Sequence, residues 1–346
     1  MACRIEMKKT FAFLASLLMI VTGKESLDFL MIGDWGGIDK PPYYTPEQLM
    51  AAQSMAAWSD QYNADFILAV GDNFYFEGIS SDCQDDRFQN TWENIYIKDK
   101  PSLQKPWYVL AGNHDWKGNV SAQIAFSKMN EYWNFPDYSY DFIKEWTDSN
   151  GQTHSVQIIM IDTVVLSGST NVFDHEDPLY FSQPKLWTKE AELKSDTSFE
   201  WIEKTMSEST ADYLLVAGHY PVYSVCEHGS TNQLVEDLKP LLEKYGAHYL
   251  SGHDHCQEHL TENNVEYILS GNSDFCCYGA SNMDQVPENS LKFLVAKGHN
   301  PNHSTAGFTS FNMQADALLV TMHNQEGKTL YQLPAISPRE QINQNK

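Results

Sequence analysis

The chain has 346 residues, 42% of them hydrophobic and 13% aromatic, enough apolar side chain for a large packed core. Lys and Arg number 23 against 46 Asp and Glu, a formal net charge of -23, so nucleic acid and anionic membranes are excluded as expected partners. A small anionic ligand would need a locally positive site, and bound metal ions are the simplest way to make one in an acidic protein.

Residues 1–23 read as a secretory signal peptide. Arg4, Lys8 and Lys9 form a basic start, Phe11 to Val21 an apolar stretch, and a polar stretch begins near Gly23. The apolar stretch is too short to span a membrane. One domain is expected over residues 26–335, because the chain has no repeat, low-complexity tract or long linker. Residues 336–346 read as a loose polar tail.

Within the domain, apolar runs recur and each ends in a polar motif. Leu27–Ile32 leads to Gly33-Asp34, and Phe66–Val70 to Gly71-Asp72-Asn73. Residues 107–111 lead to Gly112-Asn113-His114-Asp115, Tyr213–Ala217 to Gly218-His219, and 249–251 to Gly252-His253. Helices are predicted between them. One opens at Thr45, an N-cap with Pro46 in the first helical position, and runs to about Tyr62. Others are predicted over 86–96, 121–133, 185–206 and 233–245. Alternating strand and helix implies an α/β core, in which polar residues past the strand carboxyl ends gather on one rim. Further strands are predicted over Val265–Ser270, 308–313, 317–323 and 329–333, giving a two-sheet sandwich flanked by helices.

Two sequons, at Asn119 and Asn302, fit a secretory route as glycosylation sites. Cys3 leaves with the signal. Cys83, Cys226, Cys256, Cys276 and Cys277 remain, an odd number, so at least one thiol is free or pairs between chains. No CxxC spacing is present, which argues against a thiolate zinc site.

The rim offers Asp34, Asp72, Tyr75, Asn113, His114, His219, His253 and His255. Carboxylate, phenol, amide oxygen and imidazole without thiolate suit iron, manganese or zinc, and the donors suffice for two ions. Asp72 is the natural bridge, with one oxygen for each ion. His253 and His255 alternate along the backbone and so point to opposite sides. Singly, each residue has a plainer explanation: a strand-end Asp forms turns, and a tyrosine packs. Their joint occurrence in order outweighs those explanations.

GDWGG (33–37), GDNFY (71–75), AGNHD (111–115), AGHYP (217–221) and SGHDH (251–255) resemble the five metal-ligand motifs of the purple acid phosphatases. Order and spacing are most similar to the short animal form. The likeness continues through 64–78, 106–115, 118–125 and EHG (227–229), good over about 27–271 and looser beyond. It implies a calcineurin-like metallophosphoesterase fold, two mixed β-sheets packed as a sandwich flanked by helices. It also implies a secreted or lysosomal acid phosphatase, a monomer, hydrolysing small phosphomonoesters or phosphorylated proteins.

The resemblance further implies Fe(III) on Asp34, Asp72, Tyr75 and His255, and Fe(II) or zinc on Asp72, Asn113, His219 and His253. A bridging hydroxide would complete the centre and attack phosphorus. His114 would bind the phosphate or protonate the leaving oxygen, Asp115 would orient His114, and Glu227 and His228 would line the pocket. Gly36 stands where the wider superfamily places a histidine, and Tyr75 takes over as ligand. A phenol of pKa about 10 is deprotonated in acid only by a strongly charged ion, which favours Fe(III).

Three departures stand out. Ser167 and Gln233 occupy positions that the family joins by a disulfide, and Trp116 replaces a frequent histidine. Residues 167–198, longer and acidic here, match an exposed loop near the family's active site. The rival readings are a metallophosphoesterase for phosphodiesters or nucleotides, and a non-catalytic secreted binding protein that keeps its metals for stability.

Overall fold

The computed structural model describes residues 24–167, 189–299 and 305–339. The expected signal, the Asn302 sequon and most of the 167–198 segment lie outside them.

Among the described residues, fourteen strands form two seven-stranded mixed sheets. The first contains β1 (Leu27–Ile32), β2 (Phe66–Val70), β3 (Trp107–Leu110) and β4 (Trp133–Asn134), all parallel. The second has β5 (Tyr140–Thr147), β6 (Thr153–Met160), β7 (Tyr213–Ala217), β8 (His248–Ser251), β9 (Gln257–Glu262), β10 (Val265–Ser270) and β11 (Leu291–Val295). The chain then returns to the first sheet through β12 (Gly307–Met313), β13 (Leu318–Asn324) and β14 (Thr329–Gln332). The orders are β14-β13-β12-β1-β2-β3-β4 and β11-β9-β10-β8-β7-β6-β5. The two mixed sheets and flanking helices are the architecture expected from the sequence.

Every residue of β1, β2 and β7 is buried, as continuous apolar runs in parallel sheets require. The first helix, Pro46–Tyr62, starts where Thr45 accepts from the Gln48 amide at 3.1 Å, with Pro46 behind it. It ends at Asn63 in the left-handed conformation. Beneath the rim lies an aromatic core. Trp35 packs against Tyr96 (5.4 Å), Trp107 (6.0 Å) and Trp133 (6.2 Å). Trp35 follows Asp34 and the adjoining Phe74 precedes Tyr75, so this core anchors two of the motif loops from below.

The structure departs from expectation in three places. The helix expected over 121–133 stops at Phe126, and Trp133 lies in β4. Beyond Phe126, Asn130 takes the Tyr132 amide on its side chain (2.9 Å), a local bond that competes with continued helix. The helix expected over 86–96 lies at Phe88–Ile97 and is wound as a π-helix. The tail expected to be loose from residue 336 is tied down through residue 339. Ile336 exchanges two backbone hydrogen bonds with Leu318, and the Arg339 guanidinium donates to the carbonyls of Ala211 (2.7 Å) and Ser209 (2.6 Å). Among the described residues, cysteines pair as Cys226–Cys256 and Cys276–Cys277, and Cys83 is free.

Candidate metal centre

The five motif turns follow the carboxyl ends of β1, β2, β3, β7 and β8. Asp34 (φ 58°) and Asp72 (φ 51°) take left-handed conformations that short polar side chains tolerate. His253 (φ 74°) is strained there, and its amide is held on Asp34 Oδ2 at 2.7 Å. Gly112 has no side chain because a Cβ would strike the Asp72 carboxylate.

The donors form two groups. In the first, the Tyr75 hydroxyl lies 3.0 Å from both Asp34 Oδ1 and His255 Nε2. In the second, Asn113 Oδ1 lies 2.9 Å from His219 Nε2 and 3.0 Å from His253 Nδ1, and His219 Nε2 is 3.4 Å from Asp72 Oδ1. One ligand atom each from Asp34, Asp72 and His219 falls within 4.8 Å of the others, so the groups meet along the two carboxylates. His253 and His255, one residue apart, fall in different groups.

Outer contacts fix the rings. His219 Nδ1 donates to the Val70 carbonyl at 2.9 Å, which turns Nε2 toward Asn113 and Asp72. His114 Nδ1 donates to the Phe76 carbonyl at 2.7 Å, leaving Nε2 facing Asp72 Oδ2 at 3.9 Å. The site's charges are strongly coupled. Burial raises the Asp72 carboxyl, but the His219 and His114 imidazoles outweigh it and hold Asp72 well below the carboxylate range. Burial lowers His219, but Asp72 and Asp34 lift it to about 9. Burial, with Asp34 and Asp72 beside it, raises the Tyr75 phenol well above its ordinary value. Buried anionic oxygens crowded against a phenol and imidazoles are a donor set that a pair of cations fits.

Asp115 does not orient His114 as the sequence suggested. Its carboxylate accepts from the amides of Asn73 (3.0 Å) and Gly112 (2.8 Å) and from Gln123 Nε2 (2.8 Å). It joins the turns after β2 and β3, and the Phe76 carbonyl orients His114 instead. Trp116 is buried against Tyr138 with its indole N–H on Asp162 (2.9 Å). His228 stacks on His253 (4.3 Å), and exposed Glu227 adjoins it. Asn119 caps the helix Val120–Phe126 at the surface, its Oδ1 accepting from the Ala122 amide (3.1 Å).

Sequence reasoning missed several supports. Buried Arg87 donates to the carbonyls of Tyr75 and Gly36, each at 2.8 Å, tying the loops that carry Asp34 and Tyr75. Tyr278 stacks on His255 (4.4 Å), and Phe275 packs edge-on against Tyr75 (5.0 Å). No motif marks these residues; only their long-range contacts reveal them.

Residues 27–257 match the calcineurin-like phosphoesterase family. The chain belongs to that family. The tartrate-resistant acid phosphatase type 5 of Homo sapiens is 40% identical over 308 residues, 88% of this chain and 90% of its own. Purple acid phosphatase 4 of Arabidopsis thaliana is 29% identical over 317 residues, 88% and 82% of the two chains. Within the calcineurin-like phosphoesterases the chain thus stands with the acid phosphatases. The anchor in the inner membrane complex of Plasmodium shares the fold, with TM-score 0.74 at 23% identity over 92% of this chain and 91% of that one. Among the described residues, no helix is long and apolar enough to cross a membrane.

Below the site, Ser224 Oγ lies between Asp254 Oδ2 and Glu258 Oε1 (3.0 Å). One hydroxyl proton cannot serve two carboxylates, so one of them carries a proton. Burial, with Asp254 nearby, pushes Glu258 up to about 8. Burial pushes Asp162 and Asp274 up to about 7. These acids stabilise the fold below their unfolded values, and that stability is lost as pH rises through the folded ones. His248 and His323, pushed down to about 4 by burial, act oppositely, but only below about pH 6.5. Stability is therefore expected to fall between pH 6.5 and 8, and Glu258→Gln to flatten that fall, as urea midpoints at the two pH values will register.

Proposed function

We propose that the protein hydrolyses phosphate monoesters at acid pH, on small molecules or phosphorylated proteins, with a binuclear centre of Fe(III) and Fe(II) or zinc. The observation that carries this reading is the pair of donor groups meeting at Asp34 and Asp72, one of them holding a phenol. Asp34, Tyr75, His255 and Asp72 would hold the first ion, and Asp72, Asn113, His219 and His253 the second. When bound, the ions supply Lewis acidity that gathers the phosphate oxygens and offsets the charge of displacement.

The chain's own groups do the rest. His114 keeps its Nδ1 proton on the Phe76 carbonyl, so the ring is oriented, and in its imidazolium form Nε2 carries the second proton, the one passed to the leaving oxygen. His228 and Glu227 sit at the mouth beside His253 and offer contacts to the rest of the ester.

The test is hydrolysis of phenyl phosphate at about pH 5 with tartrate present, against bis-phenyl phosphate as diester. Turnover of the monoester is expected to dominate, and His114→Ala to lower its kcat by about 10²–10⁴, the usual share of general acid–base catalysis. Preference for the diester, or a His114→Ala enzyme as fast as the parent, would reject the reading. We place the protein in the secretory route, secreted or lysosomal, with Asn119 as a glycan acceptor. Enzymatic deglycosylation of protein from a eukaryotic host is expected to lower its mass, less so in Asn119→Gln.

A further inference from the structure

The segment carrying Glu227 and His228 is short, and both of those residues are exposed. Nothing in its own sequence would keep His228 stacked on a metal-ligand candidate. Asn282 holds the Glu227 carbonyl from one side, its Nδ2 donating at 3.1 Å, and the amides of His228 and Gly229 are held by Asp254, the residue between His253 and His255. Asp254 is fully buried and donates no atom to either donor group. Its carboxylate turns away from the centre. Oδ1 accepts from the His228 amide at 2.9 Å, and Oδ2 from the Gly229 amide at 3.2 Å and from the Ser224 hydroxyl. Ser224 in turn takes the Cys226 amide at 3.0 Å. The Cys226–Cys256 disulfide joins the same two segments a second time, immediately after His255. The His228 ring then lies at 4.3 Å and 23° on His253, with Tyr278 edge-on at 5.3 Å.

We propose that Asp254 is a positioning residue for the reaction: its two carboxylate oxygens seat the 227–229 segment so that His228 meets the substrate's phosphate beside His253. The proposal rests on the phosphatase reading above. A carboxylate suits the task because it has two acceptor oxygens for amides on successive residues, whereas an amide has one. In Asp254→Asn one of the two backbone donors loses its partner inside the protein, while size and shape are kept. Groups that orient such sites from behind cost about 10–100-fold when removed.

The experiment is a double-mutant cycle on the full, metal-loaded protein, comparing the parent, Asp254→Asn, His228→Ala and the double variant. It reads kcat and KM for phenyl phosphate, the binding of inorganic phosphate, and metal content. Asp254→Asn is expected to lower kcat/KM by about 10–100-fold, mostly through KM, with metal content unchanged. In the His228→Ala background the same change is expected to add nothing, because the residue it seats is already gone. Ser224→Ala, milder for folding, is expected to move KM the same way by less and to add nothing in that background. Losses that multiply in the double variant, or a parent-like Asp254→Asn or His228→Ala, would overturn the proposal. If phosphate binding follows the cycle while no monoester is hydrolysed, the seat stands and the phosphatase reading alone fails.

Discussion

Asp72→Asn is expected to release both ions and nearly all activity together. Asp72 Oδ1 lies 3.4 Å from His219 Nε2 in one group, and its charge acts on Tyr75 in the other. The substitution is clean. Asn is at ease at φ 51°, where Ala would be strained, and an amide oxygen still accepts the His114 amide now held at 2.9 Å. What is lost is one negative charge where the centre needs it most. The fall in kcat/KM should exceed the about 100-fold that follows loss of a ligand's outer partner. Metal analysis and kinetics on the same preparation check this, with circular dichroism for the fold. A variant that keeps two ions and normal turnover would refute the shared carboxylate.

Tyr75→Phe should have the second largest effect. The ring is buried and packs between His114 (4.6 Å) and Phe275 (5.0 Å), contacts that phenylalanine keeps. Only the hydroxyl goes, and with it the bonds to Asp34 and His255. If a phenolate binds ferric iron, the parent has a visible absorption band and the variant has none. Its kcat should fall by more than about 100-fold, on the same scale as Asp72→Asn. A fully loaded variant that keeps both colour and turnover would remove iron(III) from the first group.

The strands that carry the site were legible because both their faces are buried. A doubly covered strand such as β2 reads as an unbroken apolar run, and the residue after it must turn. Strands on the sheet margins were less legible. No strand was expected at β5, which carries Asp141, Lys144 and Glu145 and has no unbroken apolar run to mark it. The donor residues announced themselves by type and order. Their supports did not, because an Arg that bonds carbonyls 12 and 51 residues away leaves no local pattern. Asp115 was misjudged for a related reason. Its neighbour His114 suggested a partnership, but three buried donors elsewhere claimed its oxygens first.

The tryptophan core behind Asp34 gives the protein an optical reporter of its own. Trp35, Trp92, Trp107 and Trp133 are all buried, and the first is the sequence neighbour of a proposed iron ligand. Excitation shared among indoles about 6 Å apart would drain to an absorbing ion at that rim, so intrinsic emission should dim as the centre fills and brighten as chelator empties it.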